Sequence, residues 1–189
     1  MQLEGKTVVV TGGARGLGRA YCESLATEGA NVVAADIRDT QATVDSVTST
    51  GGSAIGVDLD VADMSSCEAM AQAAVDSFGR VDALVNNAAL YGDISGGRFD
   101  QIPDDQWDKA MKVNIKGIWH CCKACVPHIR STCGGSIVNT SSLAATYGMP
   151  YAQDYAMSKA AVIGMTRSLA RELGRDWIRV NSVAPSAVP

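Results

Sequence analysis

Short apolar runs rich in β-branched residues alternate with amphipathic stretches along the whole chain of 189 residues. The pattern predicts six strands, over 7–11, 31–35, 53–58, 83–86, 136–140 and 179–183, and five helices, over roughly 16–28, 39–49, 63–78, 104–130 and 152–174. Continuous apolar strands that alternate with helices are typical of a parallel sheet covered on both faces. With right-handed crossovers, they predict a doubly wound α/β fold of three layers, and the order expected for its strands is the Rossmann-like 3-2-1-4-5-6.

Charge and hydropathy exclude several kinds of protein. Sixteen Lys and Arg against twenty Asp and Glu give a net charge of -4, which argues against a broad basic surface for nucleic acid or an anionic membrane. No stretch approaches the roughly 20 apolar residues that span a bilayer, and the first six residues run directly into an apolar strand. We therefore expect one cytoplasmic domain over residues 1–189, with neither nucleic acid nor membrane as partner.

The six cysteines are expected to be thiols, because three of them crowd into one short stretch and the chain is not a small secreted scaffold. Cys122 and Cys125, flanked by His120 and His128, have a spacing loosely like that of a metal site. These are the only two histidines, however, and no second Cys pair is present at zinc-finger spacing. Packed small residues on one amphipathic helix are the favoured interpretation, and no metal is expected.

A glycine-rich turn follows the first predicted strand and opens the first predicted helix. Its residues are Gly12-Gly13-Ala14-Arg15-Gly16-Leu17-Gly18. Glycine lets the chain turn tightly and lets the backbone approach a pyrophosphate, while the N–H groups at the helix start stabilise the anion. A tight turn without a ligand is the alternative.

Asp36, at the end of the second strand, bears on the choice of nucleotide. A carboxylate there accepts hydrogen bonds from ribose hydroxyls and repels a 2′-phosphate, which favours NAD over NADP. Arg15 and Arg38 could approach a 2′-phosphate, but both would have to screen the repulsion at once. Asp58 ends the third strand, where it either meets the adenine amino group or only caps the strand end.

Side-chain amides follow the fourth strand and interrupt the longest predicted helix. Asn86 and Asn87 precede two alanines and a long loop, residues 88–103, that contains Gly92, Gly96 and Gly97. Asn114 lies beside the apolar stripe of the helix predicted over 104–130. A buried amide is costly unless it is hydrogen-bonded, so we expect Asn114 to hold a water or a backbone carbonyl.

Tyr155 and Lys159 are four residues apart and share one face of a predicted helix. Transfer of a hydride between a carbinol and nicotinamide needs a group that exchanges the hydroxyl proton, and a free phenol is a weak base at neutral pH. An ammonium about 5 Å away at an effective dielectric of ~20 stabilises phenolate by ~3 kcal/mol, on the order of two pKa units. Lys159 is therefore expected to lower the pKa of Tyr155, and Ser142 to polarise the substrate oxygen.

In this order, these motifs resemble the short-chain dehydrogenase/reductase family, over nearly the whole chain. The resemblance implies a Rossmann-like fold in which Tyr155 is the general acid/base and Lys159 lowers its pKa and binds ribose. It further implies that Ser142 positions the carbonyl and that Asn114 holds a relay water. The residues then expected to contact the dinucleotide are Gly12, Arg15, Gly16, Leu17, Gly18, Asp36, Ile37, Asp58, Leu59, Asn87, Ala88, Tyr155, Lys159 and Pro185.

The chain departs from the family pattern at three places. Ala89 and Ser186 stand where the family usually has glycine, and the sequence stops at Pro189, where family members continue into a helical flap and a seventh strand. The sequence is therefore expected to be a fragment of a longer enzyme. Apolar residues on the last two long helices, together with the resemblance, predict a homodimer or homotetramer.

The leading hypothesis is an NAD-dependent oxidoreductase that interconverts a small secondary alcohol and a ketone. The alternatives are an NADPH-dependent 3-ketoacyl-type reductase, which would use Arg15 and Arg38, and a catalytically idle dinucleotide-binding module if the chain is complete. A partly apolar pocket is suggested by Tyr91, Leu143, Met149 and Tyr151.

Overall fold

A computed structural model describes residues 1–91 and 96–186, and Gly92 and Pro189 lie outside these ranges. Six strands form one parallel sheet in the order β3-β2-β1-β4-β5-β6, which confirms the predicted topology. The strands are β1 Thr7–Thr11, β2 Asn31–Asp36, β3 Ser53–Asp58, β4 Ala83–Asn86, β5 Gly135–Thr140 and β6 Ile178–Val183. Each predicted strand end is correct to within one residue.

Helices cover both faces of this sheet. They are α1 Gly16–Thr27, α2 Gln41–Ser49, α3 Met64–Phe78, α4 Asp104–Met111, α5 Gly117–Ser131, α6 Ala144–Tyr147 and α7 Gln153–Leu173, with short 3₁₀ turns at Phe99–Gln101 and Gly174–Asp176. The prediction missed α6 and the two 3₁₀ turns. None of the helices in the described ranges is long and apolar enough to cross a membrane.

The single helix predicted over 104–130 is wrong in one respect. A π-helical turn, Lys112–Lys116, separates α4 from α5. It contains Asn114, whose side chain is buried and hydrogen-bonded to the backbone of Leu90, outside the helix. π turns inside α-helices are frequent at functional sites, and this one carries a residue expected in the site.

The core lies on the two faces of the sheet, because successive strand side chains point in opposite directions. In β1, Val9 packs with α3, α5 and α7, whereas Val8 and Val10 pack on the other face with residues of α1 and α2. β1 is buried along its whole length, as expected for a central strand of a parallel sheet. The carboxyl ends of all six strands therefore open at one edge of the sheet.

All six cysteines are free thiols, and all except Cys133 are buried. Cys122 accepts a hydrogen bond from the Asn86 amide, and His120 contacts the Val61 carbonyl oxygen through its Nδ1, 3.0 Å away. Within residues 1–91 and 96–186, no group of three His, Cys, Asp or Glu side chains is placed to hold a metal. His120 and Cys122 of α5 are buried and take part in these hydrogen bonds.

Candidate active site

Two adjoining clefts open at the carboxyl edge of the sheet. The first, called here the glycine cleft, has a volume of about 830 Å³ and contains the turn after β1. The second, the tyrosine cleft, has a volume of about 640 Å³ and contains Ser142, Tyr155 and Lys159. Both are lined by Gly16, Leu17, Asn87, Ala89 and Tyr91.

The glycine turn leaves room where a ligand would lie and none where the backbone packs. Gly12 has a φ of +70°, and a Cβ there would come within 2.9 Å of the Ala88 Cα. A Cβ on Gly18 would collide with the Gly12 carbonyl oxygen, whereas a Cβ on Gly16 would meet nothing within 4 Å. No side chain caps the start of α1 at Gly16. The cradle therefore suits a pyrophosphate, which would take up the N–H groups at the helix start.

Thr11 and Asn87 join the glycine turn to the end of β4. The Thr11 hydroxyl accepts hydrogen bonds from the backbone N–H groups of Asn87 and Ala88, both at 3.0 Å. The Asn87 amide donates to the carbonyl oxygens of Thr11 and Gly12. Asn87 and Ala88 line the glycine cleft. Thr11 was not among the predicted site residues, because its hydrogen-bond partners lie about 75 residues away along the chain.

Asp36 lies in the glycine cleft with its carboxylate held by two backbone groups. One oxygen accepts from the Ala14 N–H and the other from the Arg38 N–H, both at 3.0 Å. Each carboxylate oxygen has capacity for a further hydrogen bond. Arg15, Ile37 and Arg38 line the same cleft, so the carboxylate that suits a ribose diol and the guanidinium groups that suit a phosphate stand together.

Asp58 does not line either cleft. It is exposed at the end of β3, while the next two residues, Leu59 and Asp60, line the glycine cleft. Leu59 is buried, and its N–H donates to the Asp36 carbonyl oxygen. The structure thus brings Leu59 to the expected place and leaves Asp58 outside it. Gly18 also lies outside the lining, because it packs behind the turn against Gly12.

Lys159 is buried beneath the tyrosine cleft, with 2% of its surface exposed. Its Nζ donates to the Thr140 carbonyl oxygen at 2.8 Å and lies 5.8 Å from the centroid of the Tyr155 ring. Burial lowers the pKa of the Lys159 ammonium to about 8, because a charged group loses hydration in the interior. Among the described residues it forms no ion pair with a carboxylate.

Tyr155 lies half-buried in the same cleft, and its pKa differs from the expectation. Burial raises the pKa of the phenol above its ordinary value of 10.0, although a hydrogen bond with Ser142 acts in the opposite direction. The net shift of this pKa is therefore opposite to the lowering expected from Lys159. Loss of hydration on burial is its largest cause, because burial disfavours the charged phenolate.

The side-chain amide of Asn114 is hydrogen-bonded to the backbone of the loop after β4. Its Oδ1 accepts from the Leu90 N–H at 2.7 Å, and its Nδ2 donates to the Leu90 carbonyl oxygen and to the Ser158 hydroxyl. Both amide protons are thereby used. The amide is satisfied as expected for a buried polar group, and it anchors the loop that carries Tyr91 to the helix that carries Tyr155.

Pro185 reaches the tyrosine cleft because the chain after β6 runs beside the chain after β5. The Ser141 N–H donates to the Val183 carbonyl oxygen, and the Leu143 N–H donates to the Pro185 carbonyl oxygen. Pro185 therefore lines the cleft. Ser142 lies between these two contacts, and its hydroxyl accepts from the Ala144 N–H at 3.1 Å.

Sequence reasoning missed the environment of Tyr155. Its ring packs against the ring of Tyr91, with centroids 4.6 Å apart and planes tilted by 47°. Asp154, fully buried, accepts from the Tyr155 N–H and from the Gln106 amide of α4. A carboxylate in the first turn of a helix is a recognisable signal, but its partner on α4 is not visible in the sequence.

The parallel sheet, the glycine cradle and the joined clefts define a dinucleotide-binding α/β protein with a tyrosine and a lysine at its second cleft. A family model described as short chain dehydrogenase matches residues 6–189. The chain belongs to this family and is an oxidoreductase, and family members use NAD or NADP.

Relatives and a solved structure support this assignment. The chain is 43% identical over 187 residues to an uncharacterized oxidoreductase of Mycobacterium tuberculosis (strain ATCC 25618 / H37Rv), covering 98% of this chain and 74% of that protein. It is 39% identical to a 3-oxoacyl-[acyl-carrier-protein] reductase of Thermotoga maritima, covering 100% and 76% respectively. The crystal structure of carveol dehydrogenase from Mycobacterium avium in complex with NAD is similar, with TM-score 0.93, 34% identity and coverage of 97% and 71%.

Proposed function

We propose that this chain carries the catalytic machinery of an NAD(H)-dependent oxidoreductase that interconverts a secondary alcohol and a ketone. The observation that carries the proposal is the convergence of Ser142, Tyr155 and Lys159 on one cleft that adjoins the glycine cradle. The similar structure named as a carveol dehydrogenase in complex with NAD supports the same chemistry. Bound NAD would supply the hydride acceptor, and its reduced form the hydride donor.

The protein's own groups manage the proton of the substrate hydroxyl. Tyr155 takes that proton when an alcohol is oxidised and returns it when a ketone is reduced, while Ser142 donates a hydrogen bond to the substrate oxygen. Because burial raises the pKa of Tyr155, the phenol carries its proton at neutral pH, which favours ketone reduction. Raising the pH should speed alcohol oxidation.

Lys159 and Asn114 act behind Tyr155. The Lys159 ammonium has donors beyond the one bonded to Thr140, and these would reach the cofactor ribose. In the proposed relay, a water takes protons from Lys159 towards solvent. Since both amide protons of Asn114 are used, its remaining capacity for that water is as an acceptor.

The mechanism is tested by Tyr155→Phe, which removes one hydroxyl group. We expect turnover of a secondary alcohol to fall by about 10²–10⁴-fold, the range for loss of a general acid/base. Binding of NADH, measured by its fluorescence, should change less than about threefold, because the phenol is only one of its contacts. Tyr151→Phe is the matched control, since Tyr151 is exposed and lines neither cleft.

Near-normal turnover by Tyr155→Phe would exclude Tyr155 as the general acid/base. If neither the parent protein nor Tyr155→Phe turns over any secondary alcohol, yet both bind NADH, the idle dinucleotide-binding module is favoured instead.

For the cofactor, we propose NAD, because Asp36 lies in the glycine cleft where a 2′-phosphate would approach its carboxylate. We expect NADH to bind at least about tenfold more tightly than NADPH, equivalent to about 1.4 kcal/mol. Titration calorimetry with each dinucleotide gives the two Kd values. Asp36→Ala should lower the ratio of the Kd for NADPH to the Kd for NADH, or invert it.

A second candidate is an NADPH-dependent 3-ketoacyl-type reductase. Arg15 and Arg38 line the same cleft as Asp36, and one relative is named as a 3-oxoacyl-[acyl-carrier-protein] reductase. Tighter binding of NADPH than of NADH by the parent protein would decide for this candidate.

We also propose that the protein forms a homodimer or homotetramer through α5 and α7. Trp119 on α5 and Met157 on α7 are each 46% exposed, and burying their apolar surface between subunits would be favourable. Met165 and Leu169, two further apolar residues of α7, pack against the core. Light scattering at micromolar concentration tests the assembly, which a monomer would contradict.

A further inference from the structure

Tyr91 occupies the junction between the two clefts. Its side chain lines both the glycine cleft and the tyrosine cleft, and 51% of its surface is exposed. Its ring contacts the ring of Tyr155, with centroids 4.6 Å apart. An aromatic ring that packs on the proposed acid/base and leaves half its surface open can present that surface to the substrate.

The wall of the tyrosine cleft is mostly apolar, and besides Tyr91 it includes the apolar side chains of Leu143, Met149 and Pro185. Among the described residues that line this cleft, Lys159 is the one charged side chain, and it is buried and bonded to the Thr140 carbonyl oxygen. A charged substituent on a substrate would therefore lose hydration at this wall without a paired counter-charge.

The loop after β4 holds Tyr91 in this position. The preceding residue, Leu90, is anchored through its N–H and its carbonyl oxygen by the Asn114 amide. The same amide donates to Ser158 on α7, the helix that carries Tyr155. Tyr91 is thus placed relative to Tyr155 by a buried hydrogen-bonded support, so its open ring face has a defined position.

Resting on the function proposed above, we infer that the tyrosine cleft takes an uncharged, apolar secondary alcohol or ketone, and that Tyr91 is the specificity-determining residue that contacts its apolar part. The contact gains free energy in proportion to the apolar area it removes from water. Tyr91 should therefore lower KM for substrates with an apolar body and have little effect on the kinetics of substrates too small to reach it.

The test measures the reduction of three ketones with NADH by the parent protein. Two of the ketones are similar in shape and differ in charge, and the third is small. Methyl 4-oxocyclohexanecarboxylate is uncharged, 4-oxocyclohexanecarboxylate carries one negative charge, and acetone lacks the apolar body. For the parent protein we expect kcat/KM for the ester to exceed that for the carboxylate by at least about tenfold.

Variants at Tyr91 separate contact with the substrate from support of Tyr155. Tyr91→Ala should raise KM for the ester by about tenfold and change kcat/KM for acetone by less than about threefold. Tyr91→Phe keeps the ring and should retain the parent values. Tyr151→Ala is the control, because it removes a comparably exposed ring, 66% exposed, from outside both clefts.

Three results would overturn the inference. Equal or faster use of the carboxylate would exclude an uncharged-substrate cleft. Unchanged kinetics in Tyr91→Ala would exclude Tyr91 as the selecting residue, and an equal loss of kcat for ester and acetone would assign it only to support of Tyr155. If the parent protein binds NADH but reduces no ketone, the proposed function fails together with this inference. In the three results above the protein still reduces ketones, so failure of the inference alone can be told from failure of the proposed function.

Discussion

At the scale of single residues, Lys159 shows how a proposed catalytic group lowers stability. Its pKa is about 8 in the folded chain against an ordinary value of 10.5. Below about pH 8 the ammonium is charged in both folded and unfolded states, so folding bears the full cost of burying it. Between the two pKa values the unfolded chain binds more protons, and stability rises with pH.

Replacing Lys159 with methionine should therefore stabilise the fold while removing activity. A shift of about 2.5 units corresponds to about 3 kcal/mol near neutral pH, falling to about 1 kcal/mol near pH 9.5. Urea unfolding of both proteins at the two pH values measures the difference. A gain in the free energy of unfolding that does not shrink at the higher pH would contradict burial of charge as its cause.

At the same scale, the sequence alone placed Tyr155 and Lys159 on one helix face, because that depends only on helical geometry. It did not predict the direction of the Tyr155 pKa shift. That direction depends on how many atoms from other elements exclude water from the phenol, which spacing along one helix does not contain.

At the scale of elements, two helix glycines make a matched pair. Gly18 in α1 faces the Gly12 carbonyl oxygen, whereas a Cβ at Gly164 in α7 would meet nothing within 4 Å. Gly18→Ala should lower the free energy of unfolding by about 2–3 kcal/mol, because the backbone of the turn must shift. Gly164→Ala should raise it by up to about 1 kcal/mol, since alanine is the better helix former.

Urea unfolding of the two variants checks this prediction, and dinucleotide binding provides a second measurement. Gly18→Ala should also weaken NADH binding, because the displaced turn is the phosphate cradle, while Gly164→Ala should leave binding unchanged. Equal effects of the two substitutions on the free energy of unfolding would contradict this prediction. They would mean that the turn after β1 accommodates the added methyl group without the expected backbone shift.

The elements also show where local pattern is insufficient. The apolar periodicity of 104–130 continues through the π turn, so it predicted one regular helix. Asn114 lies in this turn and bonds to Leu90, 24 residues earlier in the chain. The apolar periodicity of one segment carries no information about such a contact with a distant segment, although Asn114 itself had been singled out.

At the scale of the whole molecule, burial controls the access of reagents to the thiols. Five cysteines lie in the interior and Cys133 is exposed. Burial raises the pKa of Cys22 and of Cys122 to about 12, which suppresses the reactive thiolate. Iodoacetamide should therefore modify the native protein once, at Cys133, and the unfolded protein six times.

Intact-mass measurement after short labelling checks this count. Cys133→Ser should remove the native modification and keep five on unfolding. Rapid labelling of a second site in the native protein would mean that α1, α3 or α5 opens more readily than a close-packed core allows.

The amino-acid sequence by itself determined the strands, the parallel layering of strands and helices, the glycine turn and the nature of the chemistry-bearing residues. These follow from short-range sterics, from the two periodicities of strand and helix, and from the handedness of crossovers. The tertiary structure alone decided that Asp58 lies outside the cleft, that Asp154 bonds to Gln106, and that Tyr91 packs on Tyr155. Each of these depends on side chains brought together from separate elements, where packing and loss of hydration, rather than spacing along the chain, set the outcome.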